Sequence, residues 1–162
     1  MSEIYKVGMA DLKVCKAPEG LTTLGLGSCV GIALRDPVTK VGGLAHIMLP
    51  DSTKIRQNSN IYKFADTGID ELIKQISLIG GRKDRLVAKI AGGANMFKFA
   101  GTNPNSVTVG ESNVLATKEK LQSLKIPILS EDTGNNYGRT VVFYPESGDF
   151  LIKSVGKPDK TI

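Results

Sequence analysis

The chain of 162 residues contains no tryptophan, one histidine and two cysteines. Each scarcity excludes something. Four tyrosines and five phenylalanines are all its aromatics, too few and too scattered for a platform that stacks single-stranded nucleic acid. The two cysteines, Cys15 and Cys29, make no disulfide framework, and their spacing fits no metal knuckle. A zinc centre with a single imidazole would need an unusual ligand set. No metal and no cofactor are therefore expected. No apolar run approaches the ~20 residues of a membrane-spanning helix, and the first residues lack a secretory signal pattern. The expectation is a reducing, cytoplasmic setting, no membrane insertion and a thiol that stays free.

A dominant charge is missing as well. The net charge is +5, from nine basic and eight acidic residues before position 81 and twelve and eight from there on. The excess is thin and spread out. Only Arg82, Lys83 and Arg85 cluster, and they read as a solvated helix-to-strand connection. No nucleic-acid partner is expected.

What remains is ordinary globular material, 41% apolar and 23% charged, enough for one domain over 1–162 with a sizeable core. Strands are expected over 4–10, 12–17, 21–26, 30–35, 41–48, 86–91, 128–130, 141–144 and 150–152. A helix is expected over 61–79, capped by Ser59. Its apolar positions are Ile61, Phe64, Ala65, Ile69, Leu72, Ile73 and Ile76, and Gly80-Gly81 ends it. A second helix is expected over 111–124, with Val114, Leu115, Leu121 and Leu124 inward. The stretch 95–110 reads as loop, with Asn103-Pro104-Asn105 as a turn, and 155–162 as a loose tail. Strands, helix, strand, helix and strands in that order indicate an α+β class. The architecture expected is a layered α/β sandwich with a mixed, largely antiparallel sheet.

The single histidine, His46, follows Cys29 by seventeen residues. Between them Asp36-Pro37-Val38-Thr39 has turn chemistry. Closing it with Asp36 opposite Thr39 places Cys29 opposite His46, within cross-strand reach. Alternation puts Cys29, Gly31 and Ala33 on one face and Val30, Ile32 and Leu34 on the other. The small residues suggest room for a substrate beside the thiol; the larger ones suggest core. Against this stands a plain reading: Cys29 as a small buried hydrophobe and His46 as a hydrogen-bonded core histidine.

A thiol attacks as thiolate, and a neighbouring imidazole lowers its pKa and later supplies a proton. A third group usually orients the ring. Thr23, on the preceding strand, is one candidate, and Thr22 is its neighbour on the opposite face. The bend Gly27-Ser28 offers backbone N–H groups for an oxyanion, or is simply a glycine turn. Gly92-Gly93-Ala94-Asn95-Met96-Phe97 is the second unusual segment. Its Asn95 could bind a substrate amide or cap a turn. A third glycine-rich loop holds Asp132-Thr133-Gly134 and Gly138-Arg139.

Together these segments resemble the CheD family of chemoreceptor glutamine deamidases. The carrying residues are Thr23-Leu24-Gly25-Leu26-Gly27-Ser28-Cys29-Val30 and Gly42-Gly43-Leu44-Ala45-His46-Ile47-Met48-Leu49-Pro50. The glycine-rich segment from Gly92, Gly110-Glu111-Ser112-Asn113, and the third loop support them. Ser112 and Asn135 depart from the usual family pattern. The resemblance implies a cysteine-hydrolase fold with Cys29 as nucleophile, His46 as base and acid, and Thr23 as the orienting residue. Gly27, Ser28 and Asn95 are the substrate-binding positions expected. It implies hydrolysis of selected glutamine side-chain amides on methyl-accepting chemotaxis receptors. It also implies CheC, a phosphatase of phosphorylated CheY, as a partner. The alternative is a non-catalytic module that binds receptors and CheC. A thiol protease, a transglutaminase or a redox sensor ranks lower.

Overall fold

The computed structural model describes residues 3–95 and 108–162. The expected turn at Asn103-Pro104-Asn105, and Met96-Phe97 of the second glycine segment, lie outside those residues. Ten strands and two α-helices are described. The strands are β1 (Ile4–Val7), β2 (Asp11–Lys16), β3 (Gly20–Leu26), β4 (Val30–Asp36), β5 (Val41–Ile47), β6 (Val87–Gly92), β7 (Ile128–Thr133), β8 (Arg139–Tyr144), β9 (Asp149–Lys153) and β10 (Lys160–Thr161). The helices are α1 (Ala65–Leu78) and α2 (Val109–Ser123).

The strands form two five-stranded sheets, in the orders β1-β3-β8-β9-β10 and β2-β5-β4-β6-β7. Both are mixed. β1–β3 and β6–β7 are parallel, and the remaining pairs antiparallel. Both helices pack on one face of the second sheet, giving a helix–sheet–sheet sandwich. This is the α+β sandwich expected, with the strands divided between two sheets.

β4 lies at the centre of the second sheet, and the faces of its residues explain the layers. Val30, Ile32 and Leu34 join the core under the helices, with Ile69, Leu72 and Ile76 of α1. Each such fully buried side chain contributes about 1.5–3 kcal/mol. Cys29 and Ala33 face the other sheet instead, packed with Leu26, Leu44, Val141 and Phe143. The small face expected to leave room for a substrate is therefore mostly a second core. At Gly31 a Cβ would already stand 3.0 Å from Leu26. A strand covered on both faces reads as a continuous apolar run.

The hairpin between β4 and β5 closes two residues wider than expected. Asp36 pairs with Val41, not Thr39, and Gly31 with His46. The Asp36 carboxylate accepts the amides of Val38 and Thr39 at 2.9 and 3.4 Å. Lys40 then takes a left-handed φ of 58° and donates its N–H to Asp36 O at 2.8 Å. A four-residue loop replaces the two-residue one. Because the shift is even, no side chain changes face.

α1 starts at Ala65, later than expected, and Ser59 does not cap it; Phe64 does, without a side-chain bond. The residues before it are held to the end of β5, where Lys63 O accepts the amides of Met48 and Leu49. Ile61 is accordingly exposed. The helix ends as expected. Gly80 N bonds Ser77 O and Gly81 N bonds Ile76 O, a Schellman closure. Segment 155–162, expected as a loose tail, carries β10 along β9. Ile162 exchanges backbone bonds with Phe150 there.

Candidate active site

The bend Gly27-Ser28-Cys29 carries the chain from β3 in the first sheet to β4 in the second. Cys29 sits where the sheets meet and is 8% exposed. All three bend carbonyls are used. Gly27 O accepts Ala94 N and Cys29 O accepts Gly93 N, each at 2.8 Å, and Ser28 O accepts the Asn113 side-chain amide at 2.9 Å. The amide of Ser28 finds no acceptor among the described residues, and that of Cys29 none beyond its own Sγ. They are the donors available for an oxyanion.

Gly92 and Gly93 make this join possible. Both have positive φ, 109° and 66°. A Cβ on Gly92 would stand 2.3 Å from Cys29 O, and one on Gly93 2.2 Å from Val114. Only glycine fits either position.

His46 comes from β5 of the second sheet and Thr23 from β3 of the first, both fully buried. His46 Nδ1 lies 2.7 Å from Thr23 Oγ1, and that hydroxyl donates to Val7 O at 2.8 Å. A hydroxyl has one proton. Given to Val7, it leaves Thr23 Oγ1 to accept from Nδ1–H. The network thus selects the tautomer with a bare Nε2. Nε2 is buried and has no partner among the described residues. Thr22, the other candidate, turns away and bonds Val141 O at 2.7 Å.

Cys29 and His46 share a face, on neighbouring strands, one diagonal step apart. Burial, the larger effect, pushes the Cys29 thiol up from its ordinary range, against a smaller pull downwards from its own N–H. Burial likewise pushes His46 down. Both shifts favour a neutral thiol and a neutral imidazole, rather than a standing thiolate–imidazolium pair. Such a ring can take a proton during attack and return it to a leaving group.

Asn95 is half-buried, and both ends of its amide are engaged. Nδ2 donates to Glu111 at 3.1 Å, and Oδ1 accepts from Thr108. Thr108 caps α2 through Glu111 N. The backbone amide of Asn95 bonds Asn135 O at 2.8 Å. The third glycine loop therefore lies at this same end. Arg139, 2% exposed, holds it through Asp132 at 2.9 Å and Gly134 O at 3.0 Å. Among the described residues no group of three or more metal-binding side chains gathers, and no helix is long and apolar enough to cross a membrane.

Residues 48–154 match the family described as CheD chemotactic sensory transduction. The chain belongs to the CheD family. A relative from Lachnoclostridium phytofermentans is 64% identical over the full length of both proteins and is named probable chemoreceptor glutamine deamidase CheD. One from Caldanaerobacter subterraneus, with the same name, is 56% identical over 99% of each. The Halalkalibacterium halodurans protein, named chemoreceptor glutamine deamidase CheD, is 48% identical over the full length of both. The family match starts after Thr23, Cys29 and His46, whereas these full-length CheD relatives span them.

Two CheD residues at this site escaped the sequence reading. Val7 contributes only a carbonyl, which no sequence pattern marks. Asn113 was visible within Gly110-Glu111-Ser112-Asn113, but the helical pattern pointed elsewhere. The stripe expected on α2 was Val114, Leu115, Leu121 and Leu124. The buried one is Gly110, Asn113, Thr117 and Leu121, and Leu115 is 56% exposed.

Proposed function

We propose that this chain is a chemoreceptor glutamine deamidase, with Cys29 as nucleophile, His46 as base and acid, and Thr23 as the residue that orients the ring. The observation that carries the reading is the Val7–Thr23–His46 chain, which leaves a bare Nε2 on the face of Cys29. The names of the full-length relatives supply the substrate class.

The reaction balances with these groups alone. Nε2 takes the thiol proton as Sγ bonds the glutamine side-chain carbon. The carbonyl oxygen becomes an oxyanion, held by the amides of Ser28 and Cys29 next to Gly27. The imidazolium protonates the nitrogen, the C–N bond breaks, and ammonia leaves. A thioester remains. Water then gives a proton to Nε2 and its oxygen to the thioester carbon. Glutamate departs and the proton returns to the thiol. Asn95 serves by joining the glycine segment to α2 beside this bend. The chemistry needs neither metal nor cofactor.

The test is intact-mass analysis of a chemoreceptor cytoplasmic fragment incubated with the protein, beside Cys29→Ala and His46→Ala. A glutamine-to-glutamate mass gain at defined sites, absent with both variants, is expected. Receptor binding by the wild type without any gain would replace the reading with that of a regulatory binding module. A CheC-type phosphatase belongs to this reading as a partner. Loss of co-purification between the two proteins at micromolar concentration would remove it.

A further inference from the structure

We propose that Asn113 is the positioning residue that holds nucleophile and base in register. The inference rests on the deamidase reading and adds to it a residue that touches neither substrate nor thiol. Asn113 is fully buried on α2, yet it reaches two other elements. Its Nδ2 donates to Ser28 O and to Met48 O, each at 2.9 Å. Ser28 precedes Cys29 in the bend, and Met48 follows His46 by two residues, immediately beyond β5. One nitrogen therefore fastens the nucleophile's loop to the base's strand.

The side-chain chemistry required is narrow. Two carbonyls 2.9 Å from one atom need two N–H donors on that atom. A hydroxyl has one proton, a carboxylate none, and an ammonium would bury a charge. A primary amide supplies both donors without charge. The cost of placing it here is visible, since Asn113 Oδ1 is buried without a partner among the described residues. An apolar side chain at this position would avoid that cost and lose the link.

α2 is itself seated against the segment that binds this bend. A Cβ on Gly110 would stand 2.4 Å from Ala94 O and 2.6 Å from Gly93 O. Gly93 and Ala94 are the residues whose amides bind Cys29 O and Gly27 O. The helix thus reaches the nucleophile loop indirectly, through Gly110 against Gly93 and Ala94, and directly through the Asn113 side chain. Only the second of these extends to the strand of His46. His46 opposes Gly31 rather than Cys29, so cross-strand pairing alone does not set the spacing of the two groups. A tie between the bend and the end of β5 supplies what the ladder leaves loose.

The test uses the full chain with Asn113→Ala, and Asn113→Leu to keep the volume filled, each checked for folding by near-ultraviolet circular dichroism at the assay temperature. Deamidation of a receptor cytoplasmic fragment should show kcat lowered at least tenfold with KM within about twofold, because misplacement by about 1 Å costs on the order of a hundredfold in rate. Alkylation of Cys29 by iodoacetamide, read by peptide mapping against pH, is the second measurement. The variants' profiles should move from that of the wild type to that of His46→Gln. Folded variants with wild-type kcat and an unchanged alkylation profile would overturn the inference and leave the deamidase reading standing. A wild type that does not deamidate, while alkylation still shifts in the variants, would overturn that reading and keep the positioning role. If Asn113→Ala does not fold, Asn113→Leu decides by the same two measurements.

Discussion

The two ends of β4 both bury ionisable groups, but they treat them differently. At one end Asp36 is fully buried and every lone-pair direction is answered. Arg85 bonds it through Nε and Nη2, and the amides of Arg82, Val38 and Thr39 complete the set. At the other end His46 Nε2 and Asn113 Oδ1 are buried without partners among the described residues. A closed polar set is a fastening. The open one leaves two buried acceptors without donors on the Cys29 side. Burial of a polar group alone does not mark a site; what distinguishes the Cys29 end is what has been left unsatisfied.

The comparison can be broken by substitution. At the open end, Cys29→Ala should abolish deamidation while the melting temperature stays within a few degrees, as intact-mass assay and thermal unfolding would show. His46→Gln should cost about 10²–10⁴-fold in kcat, the usual range for a lost general base. At the closed end, Asp36→Ala should strand Arg85 and three amides and destabilise the fold by about 3 kcal/mol in denaturant titration. Turnover per folded molecule should not change. Equal losses of activity and stability at both ends would erase the distinction. Thr23→Val keeps the shape and removes the hydroxyl. A lost hydrogen bond of ~0.5–1.5 kcal/mol predicts a roughly two- to tenfold fall in kcat.

The smallest effect expected is in pH dependence, where the ends separate again. His46 is pushed down by burial, so the folded protein binds fewer protons there than the unfolded chain. Its contribution is complete above the ordinary imidazole value of about 6.5 and is lost as pH falls through the lower folded value. For Asp36, burial alone would raise the pKa, but the Arg85 bonds and three amides outweigh it and hold the carboxyl well below the usual range. That stability persists until pH drops below about 4. Melting temperature against pH should therefore decline in two windows. His46→Gln should remove the upper one. The acid limb of kcat/KM should also lie below pH ~6.5.

Much of this was legible along the chain. The period of α1, its Gly80-Gly81 ending and the apolar run of β4 were set by local geometry and burial, which leave a repeating mark. With a single histidine, any imidazole base for a thiol had to be His46. Less legible was anything requiring two distant elements to meet. The solvated cluster expected at Arg82, Lys83 and Arg85 instead sends Arg85 to a buried carboxylate 49 residues away. The hairpin register slipped by two because Asp36 spends its side chain on the loop amides, a choice that turn composition does not reveal. α2 was oriented by its apolar residues, although tertiary contacts turned Asn113 and Thr117 inward and left Leu115 outside.

By itself the sequence determined the class of fold, the elements with strong periodicity and the resemblance that names Cys29, His46 and Thr23. These follow from residue type and spacing, which are one-dimensional. The tertiary structure alone decided the division into two sheets, the hydrogen bond between His46 and Thr23, the tautomer of His46 and the place of Asn113. Each depends on which carbonyl or amide lies within about 3 Å across elements, and that distance exists only once the layers have packed.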